Sequence, residues 1–238
     1  MRKIETAFVL GAGLGTRLRP LTLDTPKPML PVGGVPLIER IFQSLEAAGI
    51  KKIVVNTHHR PEKYAERFKS GKFRSAALEF VYEPVLLDTG GGLKNALPLL
   101  GKSGVLVYNA DILFGGDISK FLADFEKSEG FCASLILRGE GSNKNVCSRG
   151  ESVCDMRFAL GAPHEKTAQF AGIFAAGAEF LERVEHFPKK IFSTVEVLLE
   201  QIKSRENSVK AYFDNSPWSD IGTPEEYAKT NALYEKRI

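Results

Sequence analysis

Cysteine is scarce in this chain of 238 residues: three thiols, Cys132, Cys147 and Cys154, an odd number without Cys-x-x-Cys spacing. That pattern argues against a disulfide framework and a cysteine zinc site, and it suits a reducing compartment, so a cytoplasmic location is expected. No apolar run approaches the roughly 20 residues that a membrane-spanning helix needs. The charged start, Met1-Arg2-Lys3, leads into an apolar run too short for a secretory leader. Excess charge of one sign is also missing. The 32 Lys and Arg against 29 Asp and Glu leave a formal charge of +3, scattered along the chain with no basic run to track a nucleic-acid backbone. No internal repeat, low-complexity tract or linker interrupts it. With 43% hydrophobic and 26% charged residues, the composition is that of a folded globular protein whose length one α/β unit can occupy.

What the chain does have is a glycine-rich segment, Leu10 to Val32, reading LGAGLGTRLRPLTLDTPKPMLPV. Gly11, Gly13 and Gly15 follow the apolar run Ala7-Phe8-Val9-Leu10, as if a buried strand ended in a turn that demands residues without a Cβ. Converging backbone N–H groups in such a turn bind anionic oxygens. Arg17 adds a planar fork of donors and Lys27, set between Pro26 and Pro28 in a segment expected to be extended, adds a compact charge. Together they suit a triphosphate. Both rival glycine motifs weaken: a Walker loop because Gly15 is followed by Thr16-Arg17 instead of Lys-Ser/Thr, and a dinucleotide fingerprint because position 16 is Thr where a third glycine is needed.

Strand and helix signals alternate through the first half, predicting an α/β fold with a doubly wound, mostly parallel sheet. Strands are expected at Thr6 to Leu10, Ile53 to Asn56, Leu78 to Tyr82 and Val105 to Tyr108. Helices are expected at Pro36 to Ala48, Pro61 to Lys69 and Gly92 to Leu99. Beyond Phe131 the pattern favours strands, at Cys132 to Leu137, Ser152 to Phe158, Phe170 to Ala176 and Val209 to Phe213. A helix at Ser193 to Lys203 intervenes, and a last one opens on Thr223-Pro224-Glu225-Glu226 with a capping box.

The glycine segment resembles the signature of the sugar-1-phosphate nucleotidyltransferases, Leu-Ala-Ala-Gly-x-Gly-Thr-Arg-Leu-x-Pro-Leu-Thr followed by Pro-Lys-Pro-x-Leu-Pro-Val. It departs only where Gly11 replaces an alanine. The likeness continues through Asp88-Thr89-Gly90-Gly91-Gly92, Asn109-Ala110-Asp111, Phe170-Ala171-Gly172-Ile173 and Trp218-Ser219-Asp220-Ile221-Gly222-Thr223. It implies a Rossmann-like nucleotide-diphospho-sugar transferase fold in one domain, 1–238. About 1–130 would form the nucleotide-binding half and about 131–238 the sugar-binding half. The implied reaction is attack by a sugar 1-phosphate on the α-phosphorus of a nucleoside triphosphate, releasing pyrophosphate.

Under this resemblance Arg17 and Lys27 are the catalytic cations. The nucleotide would lie on Leu10, Gly11, Ala12, Gly13, Gly15 and Thr16, with Gly90 from the second glycine turn; Gly91, Asn109 and Gly172 would face the sugar. Asp111 and Asp220 match the pair that holds Mg²⁺, and two carboxylates suffice for a hard cation that keeps water and phosphate oxygens. Glu165 and Lys166 could reach the sugar hydroxyls and phosphate, though a solvated loop pair is the better expectation. His58, His59 and Trp218 are expected to pack. The Thr-Gly-Gly-Gly turn resembles the short uridylyltransferases acting on N-acetylmuramate 1-phosphate, so UTP with that acceptor or a related hexosamine 1-phosphate leads. Guanylyl transfer to mannose or heptose 1-phosphate follows, and cytidylyl transfer to phosphocholine is third. Outside the class stand a catalytically silent ligand-sensing subunit and a dinucleotide-binding oxidoreductase domain.

Overall fold

The structure, a computed structural model, describes residues 3–235; Met1 and Arg2 of the charged start lie outside the described residues. The first half runs β1 (Thr6–Leu10), β2 (Pro31–Val32), β3 (Val35–Pro36), α1 (Leu37–Ala47), β4 (Lys52–Thr57), α2 (Pro61–Arg67), β5 (Lys72–Phe73), β6 (Ala76–Tyr82), α3 (Asp88–Leu100), β7 (Val105–Asn109), β8 (Ile112–Phe114) and α4 (Ile118–Lys127). The second half runs β9 (Ala133–Arg138), β10 (Val146–Arg149), β11 (Ser152–Met156), β12 (Lys166–Ala176), α5 (Ala178–Glu185), α6 (Thr194–Ser204), β13 (Val209–Phe213), β14 (Trp218–Asp220) and α7 (Pro224–Glu235).

Ten strands form one sheet in the order β10-β11-β13-β9-β12-β7-β1-β4-β6-β5. Its centre is parallel, β7 and β4 flanking β1 with β6 beyond β4. Strand alternation sends neighbouring residues to opposite faces, and both faces are covered. Ala7, Val9, Ile53, Val55, Leu106 and Tyr108 pack on the side of α1, α2 and α4. Phe8, Val54, Val105 and Val107 pack on the side of α3, α5 and α6. This two-sided burial explains why the central strands read as unbroken apolar runs. It also leaves only the strand ends free for chemistry.

The second half is a mixed sheet. β12 is antiparallel to both β7 and β9, and β13 is parallel to β9. At its outer end β10 also pairs with the start of β12, so the strands of this half curl back on themselves. Gly172 sits where the β12–β9 register shifts, at φ +79, a conformation that calls for glycine.

Two readings of the sequence change here. The Asp88–Gly92 segment is the first turn of α3, a helix that starts at Asp88 rather than Gly92. Each glycine in it answers a different neighbour: a Cβ at Gly90 would lie 2.4 Å from the Phe192 ring, one at Gly91 2.4 Å from the Lys190 carbonyl, and one at Gly92 2.7 Å from both Asn56 and Glu83. These are close-packing glycines. Second, α4 and α5 were not foreseen, although Ile118, Phe121, Leu122 and Phe125 carry the same helical spacing that marked α1. Among the described residues no helix is long and apolar enough to cross a membrane.

Candidate active site

The site lies at the carboxyl ends of β1 and β7, the edge where open α/β sheets receive ligands. Of the three glycines after β1, only Gly15 takes a positive φ, +61, so the expectation of a turn built on all three narrows to one. A Cβ on Gly15 would lie 3.0 Å from both Lys27 Cβ and Thr22 Cγ2, and Thr22 Oγ1 donates to the Gly15 carbonyl at 2.8 Å. Gly15 therefore folds the loop down onto Lys27. Arg17 follows in a 3₁₀ turn and is exposed.

Lys27 also opens a 3₁₀ turn, Lys27–Met29, which corrects the extended segment expected from its flanking prolines. Its side chain is nearly buried, and Nζ donates to Asp111 Oδ2 at 2.8 Å. Asp111 itself is carried between β7 and β8. Pairing of β14 with β8 sets Asp220 opposite Ile112, and the Ile221 N–H donates to the Asp111 carbonyl at 2.9 Å. Arg17 completes the group: a Cβ on Gly222 would lie 3.0 Å from Arg17 Nη2 and 3.2 Å from Asp220 Oδ1. Two cations and two carboxylates from four separated stretches thus meet at one place.

Electrostatics single out Asp220. Burial pushes its carboxyl above the usual range and the Asp111 charge pushes the same way, while Lys27 and Arg17 pull it down. Its Oδ1 is buried with no hydrogen-bond partner among the described residues. An orphaned carboxylate oxygen beside a second carboxylate is a donor set suited to a hard divalent cation. Among the described residues no cluster of three or more His, Cys, Asp or Glu exists, so such an ion would draw its remaining ligands from water and phosphate.

Two cavities share Asp111. The first, about 330 Å³, is lined by Leu10, Gly11, Gly13, Gly15, Thr16, Arg17 and Lys27, with Leu14, Pro28 and the exposed Leu86 completing its wall. The second, about 210 Å³, takes Asn109, Gly172 and Asp220 together with Asn143, Asn145, Gln169, Arg157 and Trp218. Gly172 backs onto the Asn109 side chain, where a Cβ would stand 3.0 Å from Nδ2. Trp218 packs as expected, Nε1 donating to the Ala171 carbonyl, but it also faces this cavity.

Five candidate site residues stand apart. Ala12 is buried beside the first cavity rather than lining it. The N–H groups of Gly90 and Gly91 both donate to the Phe192 carbonyl, at 2.9 and 3.0 Å, so neither is free for a nucleotide or a sugar. Glu165 and Lys166 are exposed, line neither cavity and have partners elsewhere: Glu165 accepts from the Gly150 N–H, and Lys166 Nζ lies over the Phe213 ring. His58 and His59 pack as loop residues, on the Glu83 and Thr22 carbonyls.

Arg157 was missed. Among the described residues it is the one cation lining the second cavity; it sits at φ +58 next to Phe158 at φ +56, and its N–H donates to the Asn145 carbonyl at 2.6 Å. Buried Asp155 holds the following loop by accepting the Leu160 and Ala162 N–H groups. Consecutive left-handed residues without glycine carry strain that the surroundings must impose. No sequence motif announces them.

With the geometry in hand, comparison places the chain. Residues 6–145 match the Nucleotidyl transferase family. The chain belongs to that family. Among similar proteins, the mannose-1-phosphate guanylyltransferase of Mycobacterium tuberculosis is 31% identical over 229 residues, covering 95% of this chain; the chain spans 63% of that relative's length. The D-glycero-alpha-D-manno-heptose 1-phosphate guanylyltransferase of Campylobacter jejuni is 29% identical over 93% of this chain and 96% of its own. The solved structure of HddC from Yersinia pseudotuberculosis complexed with GMP-PN is 26% identical, with a TM-score of 0.70 over 97% of this chain and 100% of that one. The nucleotidyltransferase fold expected from the sequence is the one found.

Proposed function

We propose that this chain transfers a guanylyl group from GTP to the 1-phosphate of a manno-configured sugar, mannose or manno-heptose, releasing pyrophosphate. One observation carries the reading. Asp111 is common to two adjoining cavities, one walled by the phosphate-binding loop and the other by amides, so a triphosphate and an acceptor phosphate would meet beside it.

In this reading Arg17 and Lys27 neutralise the triphosphate, and Asp111 and Asp220 hold Mg²⁺. When bound, the ion would supply charge neutralisation between two anions that otherwise repel. The acceptor phosphate is itself the nucleophile, so the protein's task is to orient it in line with the α-phosphorus and exclude water. Residues of about 1–130 would hold the nucleotide. Those of about 131–238 would hold the sugar, with Asn143, Asn145 and Gln169 offered to hydroxyls and Arg157 to the phosphate. Substituting Arg157→Ala is expected to raise KM for the sugar phosphate by about 10- to 100-fold, the loss of a charge-assisted contact, with KM for the nucleotide unchanged. Initial rates with each substrate varied in turn would detect the split.

The choice of base rests on relatives that act as guanylyltransferases and on GMP-PN in the Yersinia structure. Uridylyl transfer to N-acetylmuramate 1-phosphate becomes the second reading. It drew on the Thr-Gly-Gly-Gly segment, whose glycines make room for Phe192, Lys190 and the Asn56–Glu83 pair. The test is a plate of the four common nucleoside triphosphates against mannose, manno-heptose, N-acetylglucosamine and N-acetylmuramate 1-phosphates with Mg²⁺, scored for pyrophosphate. GTP with a manno acceptor is expected to be strongest. A strongest signal from UTP with N-acetylmuramate 1-phosphate would reverse the order.

A further inference from the structure

Glu83 is a buried carboxylate, 1% exposed, that no cation pairs with among the described residues. Burying such a charge is costly unless hydrogen bonds compensate. They do: Oε1 accepts from Asn56 Nδ2 at 2.7 Å and Oε2 accepts from the Leu87 N–H at 3.1 Å. Asn56, 3% exposed, turns its other end to the chain just after β1, where Oδ1 accepts from the Gly11 N–H at 2.7 Å.

The donor pattern fixes every orientation in this chain. The Gly11 N–H can only donate, so Asn56 must present its carbonyl there and its amino group to Glu83; Glu83 must then accept on both sides. Two glycines make room for it. A Cβ on Gly11 would lie 2.9 Å from both the Asn56 backbone carbonyl and Val55 Cγ1, and one on Gly92 would lie 2.7 Å from both Asn56 Nδ2 and Glu83 Oε1. Glycine in place of the family's alanine at 11 therefore brings β1 close to β4, and the Gly11 N–H serves this tie rather than a phosphate.

We infer that Asn56 and Glu83 form the positioning element of the nucleotide cleft. They tie the end of β1, where the phosphate loop begins, to Leu87, whose neighbour Leu86 lines the same cavity. The inference rests on the first cavity being the nucleotide site. Neither side chain lines that cavity; both act through backbone they hold.

A reciprocal exchange tests it. Glu83→Gln alone forces one donor against another, whichever way the two amides turn. Asn56→Asp alone sets two carboxylates face to face. Combined, the two changes restore all three bonds: the carboxylate now at 56 accepts from the Gly11 N–H and from the amide now at 83, whose carbonyl accepts from the Leu87 N–H. Affinity for each of the four nucleoside triphosphates with Mg²⁺ is measured by calorimetry on the full chain, alongside KM for the acceptor and the thermal midpoint. Each single change is expected to weaken nucleotide binding about tenfold or more, and the combination to return within about threefold of the parent, with acceptor KM unmoved throughout.

Singles that bind as the parent does, or acceptor KM rising in step with nucleotide affinity, would overturn the inference. So would a folded double variant no better than the singles. Should the singles fail to fold, the double variant alone decides: nucleotide binding restored supports the tie, and binding lost contradicts it. If the parent binds no nucleoside triphosphate, the function proposed above falls and this inference with it.

Discussion

Lys27→Met is expected to lower turnover by about 100-fold or more, the order of loss seen when one preorganised charge at a reacting group is removed. The side chain is nearly buried, and among the described residues its one hydrogen-bond partner is the Asp111 carboxylate at 2.8 Å. Methionine keeps the length and most of the packing, so the fold should survive. What disappears is the positive charge paired with Asp111, which also pulls down the Asp220 carboxyl that burial and the Asp111 charge push up. The loss should therefore appear in kcat and in nucleotide affinity together. Steady-state kinetics with Mg²⁺ saturating would measure it, and turnover within about threefold of the parent would remove Lys27 from the chemistry.

Gly90→Ala is expected to act on stability and spare the nucleotide. A methyl group there would lie 2.4 Å from the Phe192 ring, which is fully buried and stacked on Phe187 at 4.3 Å between centroids. Phe192 has nowhere to turn. The N–H groups that anchor this segment, Gly90 and Gly91 on the Phe192 carbonyl, would have to lengthen as α3 backs away from α6. Overpacking costs about 1–3 kcal/mol, and a contact this close to a buried ring sets it near the upper end, about 3 kcal/mol. In a chain of this length that corresponds to a fall of roughly 6–12 °C in thermal midpoint. Nucleotide affinity of the folded fraction should stay near that of the parent. The reverse pattern, an unchanged midpoint with lost affinity, would restore Gly90 to the nucleotide site.

These two positions also mark where sequence reasoning worked and where it stopped. Arg17, Lys27, Asp111 and Asp220 could be named because each sits in a short contiguous motif, and the fold does bring them together. Their convergence depends on strand ends, and strand ends follow from apolar runs that are easy to see. Glycine composition was less informative. Three consecutive glycines signal either a mobile turn or crowding by something distant, and only coordinates reveal Phe192 or Lys190 on the other side. Asn56, Glu83 and Arg157 left no local trace at all. The first two meet across 27 residues, and Arg157 reaches the second cavity through an unusual backbone conformation held by Asp155 and Asn145. The second half was harder throughout. Its strands pair antiparallel and parallel by turns, so their order could not be read from alternation with helices.

The most direct measurement is a crystal structure of the chain with a non-hydrolysable GTP analogue, Mg²⁺ and mannose 1-phosphate. The account predicts the triphosphate lying along residues 13–17 with Lys27 and Arg17 on its oxygens, and the cation between Asp111 and Asp220. The sugar should stand against Asn109, Gly172 and Arg157. A nucleotide bound elsewhere, or a cation that touches neither aspartate, would contradict it.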